Sequence, residues 1–552
     1  MDALTPHEFV VAGLEYAAEV HIQAGRVVST TGSQIIVLLN KGLSGRDGLQ
    51  MGGLVRVQTG NVVVYGLVEG LCTPMPMQEG NGEELHLAEI GLLGEICHAD
   101  APPFSGLVPG RFRRGVSRVP ALGSIVCLAS ESDIKDVYAI PGRREVIVGT
   151  LNNAPQVAAR ISVNDMLGKH FALLGTTGTG KSCALTLMIK RIFERSHNGH
   201  VLLLDPHGEY GQAFNDQAAH LTVDTFRLPY WLADFEELTE IVFGHEKRER
   251  VAEIMLLREM VLEAKLSYAQ PADRAWITVD SPVPYNLGVL NRHIDNAMGG
   301  LDNKRNIEPF QRIKSRLAVL QNDKRYAFMF DIGLGAHDNL AAILGELFRA
   351  PANGKPLAIL DLARLPSEVL NVVVAVICRI AFDFAMCVGQ TVPLLLICEE
   401  AHRYAPQDTA LGFEPAKRAL SRIAKEGRKY GISLGIVSQR PSELASTILS
   451  QCNTVFAFRM ANGRDQEIIQ ATLSEASPAM FSALPFLGNM EAIAIGEGVP
   501  VPMRLQFESL PETERPRSGS ASFSEQWQRQ EDLDGAQMQR VVDSMRSRKS
   551  AS

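Results

Sequence analysis

Between Gly25 and Ala129 the apolar positions fall in short runs separated by Gly, Asn and Asp. The runs are Gly25-Arg-Val-Val-Ser, Gln34-Ile-Ile-Val-Leu-Leu, Gly53-Leu-Val-Arg-Val, Asn61-Val-Val-Val-Tyr-Gly-Leu-Val, His86-Leu-Ala-Glu-Ile-Gly-Leu-Leu-Gly-Glu-Ile and Gly123-Ser-Ile-Val-Cys-Leu-Ala. Many short strands at this spacing predict a small β-barrel or sandwich over residues 1–150. No catalytic constellation stands out there, so assembly or docking is its expected role. From about residue 150 the pattern changes to buried strands alternating with helices, which predicts an α/β core with a mostly parallel sheet over 151–510. Its strands are expected at His170-Phe-Ala-Leu-Leu, Val201-Leu-Leu-Leu-Asp, Pro356-Leu-Ala-Ile-Leu-Asp, Val392-Pro-Leu-Leu-Leu-Ile-Cys, Gly431-Ile-Ser-Leu-Gly-Ile-Val-Ser, Thr454-Val-Phe-Ala-Phe and Glu491-Ala-Ile-Ala-Ile-Gly. Residues 212–350, rich in Ala, Leu, Glu, Lys and Arg, read as a helical insertion. The apolar window Val369–Val388 is interrupted by Asn371, Arg379 and Asp383 and reads as a buried helix, too polar for a membrane span. Residues 511–552 turn Ser-, Arg-, Glu- and Gln-rich, a tail that is either disordered or an arm ordering on a neighbouring subunit.

Between the first predicted strand of the core and the helix after it lies Gly175-Thr-Thr-Gly-Thr-Gly-Lys-Ser182, a full match to G-x-x-x-x-G-K-[ST]. Glycines at 175, 178 and 180 let successive backbone N–H groups curl around an anion at a helix N-terminus. Gly175, Thr176, Thr177, Gly178, Thr179, Gly180, Lys181, Ser182 and Cys183 are therefore the expected contacts of a nucleoside triphosphate, ATP. Lys181 reaches the β- and γ-phosphates, and the Ser182 hydroxyl holds Mg²⁺.

The strand Leu394–Cys398 runs into Glu399 and Glu400, the pattern of a Walker B motif. Glu399 takes the Mg²⁺-positioning role, and Glu400 orients or deprotonates the attacking water. Two carboxylates this close repel, and Mg²⁺ relieves that repulsion. Asp205 and Glu209 end the strand after the phosphate-loop helix and are expected to face the same crevice, because parallel strands converge there by their C-termini. His207 reads as a γ-phosphate contact or a turn residue. Gln439, at the end of Gly431–Ser438, is placed to sense the γ-phosphate. In the basic segment Lys417–Lys429, residues 418, 422, 425 and 429 share one helical face. Arg428 or Arg422 is the expected arginine finger, reaching into a neighbouring subunit's site.

Composition narrows the rest. A chain of 552 residues needs two or three domains, and a net charge of −8 gives no global basic footprint, so basic residues for nucleic acid would line an internal surface. Lys304/Arg305, Arg312/Lys314/Arg316 and Lys324/Arg325 are the possible pore contacts. Eight scattered cysteines without C-x-x-C spacing disfavour disulfides or a zinc site and suit a reduced, cytoplasmic compartment. No signal-peptide pattern opens the chain.

Assembled, the chain resembles the HerA-type ATPases of the HerA/FtsK superfamily, the bacterial branch in particular. The matching pieces are Leu167-Gly-Lys-His-Phe-Ala-Leu-Leu-Gly-Thr-Thr-Gly-Thr-Gly-Lys-Ser, Leu204-Asp-Pro-His-Gly-Glu-Tyr, Ile397-Cys-Glu-Glu-Ala-His-Arg-Tyr and Ile423-Ala-Lys-Glu-Gly-Arg-Lys-Tyr-Gly with Ser438-Gln-Arg-Pro. One departure is Glu399, where the family's usual Walker B carries Asp; its extra methylene still permits water-mediated contact with Mg²⁺. The resemblance implies a RecA-like P-loop ATPase core behind an N-terminal β-barrel. It also implies a homo-hexameric ring, a translocase or helicase of double-stranded DNA. The partner it implies is a nuclease of the NurA type, in DNA repair, or another effector such as a sirtuin-like NAD hydrolase, in antiviral defence. A nucleotide-regulated scaffold for an effector is the second reading. A secretion or conjugation ATPase is a third, disfavoured by the lack of an evident membrane anchor.

Overall fold

The computed structural model describes residues 21–40, 49–73, 85–97, 110–140, 142, 145–299, 307–331, 337–408, 414–472, 478–517, 523–528 and 534–549. Residues 1–139 with 477–480 form one compact unit, and residues 140–476 with 481–552 form another.

The first unit is a β-barrel. Its strands are β1 (Gln23–Thr30), β2 (Gln34–Leu39), β3 (Leu54–Thr59), β4 (Val62–Cys72), β5 (Leu87–Cys97), β6 (Phe112–Arg114) and β7 (Ile125–Leu128). The order β2-β1-β7-β3-β4-β5 closes through antiparallel pairing of β2 with β5, leaving β6 attached outside β5. Closure removes exposed strand edges and encloses a core of Val, Ile and Ala, with Val27, Ile35, Val37, Val55, Ile90 and Val126 all buried. Each of the six expected runs forms one barrel strand; the three-residue β6 carries no comparable apolar pattern. One polar cluster sits under a short helix, Glu131–Val137, whose cap is the Ser130–Asp133 capping box. There Asp133 accepts from Tyr65 Oη at 2.6 Å and from Arg56 at 3.2 Å. Burial comes first among the influences on the Asp133 carboxyl and pushes its acid constant up, but hydrogen bonds from Tyr65 and Ser130 and the Arg56 charge outweigh it and hold it below the usual range.

The second unit is built on an eleven-stranded sheet. In chain order its strands are β8 (Glu145–Leu151), β9 (Ala154–Ser162), β10 (Phe171–Leu174), β11 (Val201–Asp205), β12 (Ala218–Thr222), β13 (Leu357–Asp361), β14 (Leu394–Cys398), β15 (Ile432–Ser438), β16 (Thr454–Phe458), β17 (Glu491–Gly496) and β18 (Met503–Phe507). In space they run β12-β13-β11-β14-β15-β10-β16-β17-β18-β8-β9. The first seven of that order are parallel, and the remaining four continue antiparallel. The compact unit boundary falls at Ala139, and β8, which starts before residue 150, pairs in this second sheet. β12 also pairs at the sheet edge, although it lies inside the segment read as a helical insertion; from Phe235 to Leu347 the described insertion contains helices and no strand.

The helix Ser367–Val388 passes a length-and-composition test for crossing a membrane, but its apolar positions from Val369 to Ala385 are packed inside this unit. Its Arg379 is half-buried and is matched by Glu237 at 2.9 Å and by Asp234 and Asp383 at 3.5 Å. That pairing is what lets a charge occupy an otherwise apolar core helix. All eight cysteines are free. The tail segment Gly535–Lys549 is helical, and residues 535–546 are exposed apart from a half-buried Val542.

Candidate active site

Parallel register brings the functional segments to one edge of the sheet. Leu174 pairs with Ser438 and with Ala457, while Cys398 pairs with Leu204 and with Ile436. The chain therefore leaves β10, β11, β14 and β15 at one level, and the residues just beyond them meet in the crevice where such sheets bind ligands.

The phosphate loop follows β10 and is folded on itself. The Thr176 carbonyl accepts from Thr179 Oγ1 at 2.8 Å and from Lys181 Nζ at 2.9 Å, so the ammonium is parked on its own loop. Thr176 is tied to the Arg459 carbonyl beyond β16, through N at 3.1 Å and Oγ1 at 3.0 Å. Gly180 has φ +99°, and a Cβ there would stand 2.5 Å from Met490 Sδ, so only glycine fits both the left-handed turn and the close approach. The helix Lys181–Arg195 then starts on the loop, with Ala184, Leu185, Met188, Ile189 and Ile192 buried against the sheet.

Glu399 and Glu400 are both buried, at 3% and 8% exposure. Glu399 Oε1 lies 3.5 Å from Ser182 Oγ, and Glu209 Oε2 lies 3.3 Å from the same hydroxyl. Burial and then the neighbouring Glu400 push the Glu399 acid constant up to about 8, with Lys181 pulling the other way. Burial lowers that of Lys181, opposed by Glu399, Glu400 and Glu209. Glu399 Oε2 has no hydrogen-bond partner. A buried orphan carboxylate oxygen beside a Ser hydroxyl suits a hydrated divalent cation. Mg²⁺ keeps most of its shell as water and phosphate oxygen, so few protein donors suffice to hold it. The donor set Ser182 and Glu399, with Glu209 adjacent, thus fits.

Glu400 has φ +50° and ψ 44°, a left-handed backbone that a non-glycine residue adopts at a cost of about 1–2 kcal/mol. The conformation ends β14 abruptly and starts the turn Ala401–Arg403. Tyr404, fully buried, donates its hydroxyl to the Glu399 carbonyl and fixes that turn. Gln439, one residue past β15, accepts from Thr177 Oγ1 and so touches the phosphate loop.

Two expected residues stand differently. Asp205 does not face the crevice: its carboxylate accepts from the backbone N–H of His207, Gly208 and Tyr210 at 3.3, 2.8 and 3.0 Å. A strand-end carboxylate beside a tight turn finds its donors there, and the result is that Asp205 shapes the loop that presents Glu209. Arg422 is exposed, but its guanidinium lies 4.1 Å from the centre of the Phe382 ring, a contact that reaching outward would break. Arg428 is exposed; it adds a small pull on Glu497, whose acid constant is lowered chiefly by Lys169.

The possible pore contacts are largely paired within the insertion. Arg312 meets Glu253 and Glu308, Lys314 meets Asp295 at 2.6 Å, Arg316 meets Glu246 at 2.5 Å, and Arg325 meets Asp323 at 2.6 Å. Lys304 and Arg305 lie outside the described residues. The paired side chains stay 36–46% exposed, and surface pairs of this kind exchange readily for other anions.

Sequence reasoning missed a strap after β18. Glu508 pairs with Arg191 at 2.6 Å and Glu514 with Lys190 at 2.5 Å, both on the phosphate-loop helix. The strap ends with the Arg517 N–H donating to the Glu209 carbonyl at 2.9 Å. Only the charge complementarity of Glu508 and Glu514 with that helix hints at it in sequence. His402 and Ser438, beside Glu400, were also missed.

Residues 146–381 match the family model described as Helicase HerA, central domain. The central segment is that of a HerA-type ATPase. A protein named DNA double-strand break repair helicase HerA, from Pyrococcus furiosus, is 27% identical over 80% of this chain and 81% of its own length. One named probable DNA double-strand break repair helicase HerA, from Methanocaldococcus jannaschii, is 25% identical over 71% of this chain and 82% of its own. Among solved structures, VirB4 of Thermoanaerobacter pseudethanolicus aligns at a TM-score of 0.49 and 15% identity, over 68% of this chain and all of that one. The HerA likeness, together with the phosphate loop, supports ATP hydrolysis by this chain.

Proposed function

We propose that this chain is an ATP-driven motor that moves on double-stranded DNA as a ring of identical copies, a homo-hexamer. The observation that carries it is the shared sheet edge on which Lys181, Glu399, Glu400 and Gln439 meet, inside a core similar to proteins named as double-strand break repair helicases. In this reading Lys181 leaves the Thr176 carbonyl to neutralise the β- and γ-phosphates of ATP. Ser182 and Glu399 hold Mg²⁺, which supplies charge compensation for the phosphates. Glu400 takes the proton of the attacking water, and Gln439 gives up Thr177 to contact the γ-phosphate. Arg428, exposed on the helix Glu414–Tyr430, is the arginine that a neighbouring copy receives. Arg422, held on Phe382, positions that helix instead.

The barrel serves assembly or docking, and the effector is a separate protein, either a NurA-like nuclease in DNA end repair or a sirtuin-like NAD hydrolase in antiviral defence. A cytoplasmic setting suits eight free cysteines. The scaffold reading draws on the barrel having no recognisable catalytic cluster; it predicts that Lys181→Ala still activates the effector. The motor is tested by displacement of a third strand from a DNA triplex. The intact chain is expected to strip it with ATP and Mg²⁺, and Lys181→Ala to leave it in place. ATP turnover without strand displacement on any duplex length would contradict the motor.

A further inference from the structure

One ring nitrogen stands between two polar groups carried by neighbouring strands. His402 Nδ1 lies 3.2 Å from Glu400 Oε2 and 3.2 Å from Ser438 Oγ. The imidazole is mostly buried, with 9% of its side chain exposed, on the turn that follows β14. Ser438 is the last residue of β15, its Oγ also accepts the Arg440 N–H at 3.1 Å, and the next residue, Gln439, holds Thr177 of the phosphate loop. A neutral imidazole presents at Nδ1 either one proton or one lone pair. Nδ1 can therefore donate to the Glu400 carboxylate or accept from the Ser438 hydroxyl, and serving one fully releases the other.

The structure holds one of these arrangements. Hydrogen-bond geometry is met between Nδ1 and Ser438, while Glu400 Oε2, equally near, is buried without a hydrogen-bond partner. Leaving a buried carboxylate oxygen unsatisfied is costly, here on a residue whose backbone is already left-handed. Such a state persists only where the surroundings over-determine it, and it gains a partner if Nδ1 turns its proton towards Glu400.

We propose that His402 is a positioning residue for ATP hydrolysis, which seats the Glu400 carboxylate in response to the end of β15. This rests on the ATPase reading of the site. With Gln439 on Thr177, Ser438 occupies Nδ1 and Glu400 is unseated. When the γ-phosphate draws Gln439 away, Ser438 moves with it, and Nδ1–H becomes the donor that aims Glu400. The arrangement withholds the base until a triphosphate is present, so the resting ring wastes little ATP.

The test uses the intact chain and compares His402→Leu, His402→Asn, Ser438→Ala and the His402→Leu/Ser438→Ala double variant. Leucine keeps apolar bulk without a polar atom, whereas asparagine keeps one where Nδ1 stands. Turnover, KM, affinity for a fluorescent ATP analogue and thermal unfolding are read for each. Expected is a kcat loss of at least about tenfold in His402→Leu and turnover at or above wild type in Ser438→Ala, where no hydroxyl competes for Nδ1, with analogue affinity within about twofold and an unchanged unfolding temperature in both. The double variant falls to the level of His402→Leu, since Ser438 acts only through the imidazole. His402→Asn recovers most of the turnover. Wild-type kcat in His402→Leu, a tenfold loss in Ser438→Ala, a double variant well above His402→Leu, or His402→Asn as poor as His402→Leu would each overturn the proposal. Should His402→Leu fail to fold, Ser438→Ala and His402→Asn decide it by the same criteria. Absence of turnover in the unmodified protein would instead overturn the ATPase reading, and this proposal with it.

Discussion

Glu209 and Asp205 stand four residues apart at the end of one strand and do different work. Asp205 spends its carboxylate on three backbone N–H groups of the following turn, and Glu209 is thereby held near Ser182. Glu209→Gln is accordingly expected to raise the Mg²⁺ concentration for half-maximal ATP turnover about tenfold, with the unfolding temperature little changed. Asp205→Asn should lower stability first, since an amide has only one acceptor oxygen for those donors; thermal unfolding separates the two. His170 gives a prediction of another kind. Its Nδ1 accepts from Leu434 N at 2.9 Å and its Nε2 donates to the Ala424 carbonyl at 3.0 Å, which fixes one neutral tautomer. Burial lowers its acid constant from 6.5 to about 4. The folded state thus binds fewer protons than the unfolded chain between those values, so this contribution is complete above about pH 6.5 and is lost as pH falls towards 4. Thermal unfolding followed from pH 8 to 4 should show that loss, and His170→Gln should flatten the slope while lowering stability at pH 8.

At the scale of elements, the helix Glu414–Tyr430 joins the site to whatever lies outside it. Gly427 lets it approach β15, since a Cβ there would sit 2.8 Å from the Ile432 carbonyl, and His170 ties Ala424 to the phosphate-loop strand. Arg428 and Arg422 on this helix therefore separate cleanly. Arg428→Ala is expected to cut ATP turnover by about 10³-fold while analogue binding survives; Arg422→Ala should lower the unfolding temperature through loss of the Phe382 contact. Equal turnover in Arg428→Ala and wild type would remove that arginine from the proposed finger role. The elements themselves were legible because their signals are local. Phe171–Leu174, Val201–Asp205 and Leu394–Cys398 are runs too apolar to be anything but buried, and the phosphate loop encodes its geometry in consecutive residues. What stayed hidden depends on pairs far apart in the chain. Ser438 meets His402 only through sheet register, Arg422 meets Phe382 only through helix packing, and the direction of the Asp205 carboxylate is set by competing donors rather than by its place at a strand end.

For the whole molecule, DNA binding is tested through charge. Arg312, Lys314 and Arg316 have acidic partners within the insertion yet stay exposed, so replacing them decides their part: weaker duplex affinity places them on the DNA path, and unchanged affinity removes them from it. Duplex binding by the assembled protein should still weaken steeply with salt, as phosphate contacts require, and a flat salt dependence would exclude a basic channel. A site completed by a neighbour also makes specific activity rise with protein concentration until assembly saturates. All of this presumes that Glu400 is the group that activates water at an otherwise complete ATP site. Steady-state ATP turnover of Glu400→Gln, with analogue affinity measured on the same preparation, tests that directly. Binding is expected within about twofold of wild type and turnover lower by about 10²–10⁴-fold. Wild-type turnover by Glu400→Gln would contradict it.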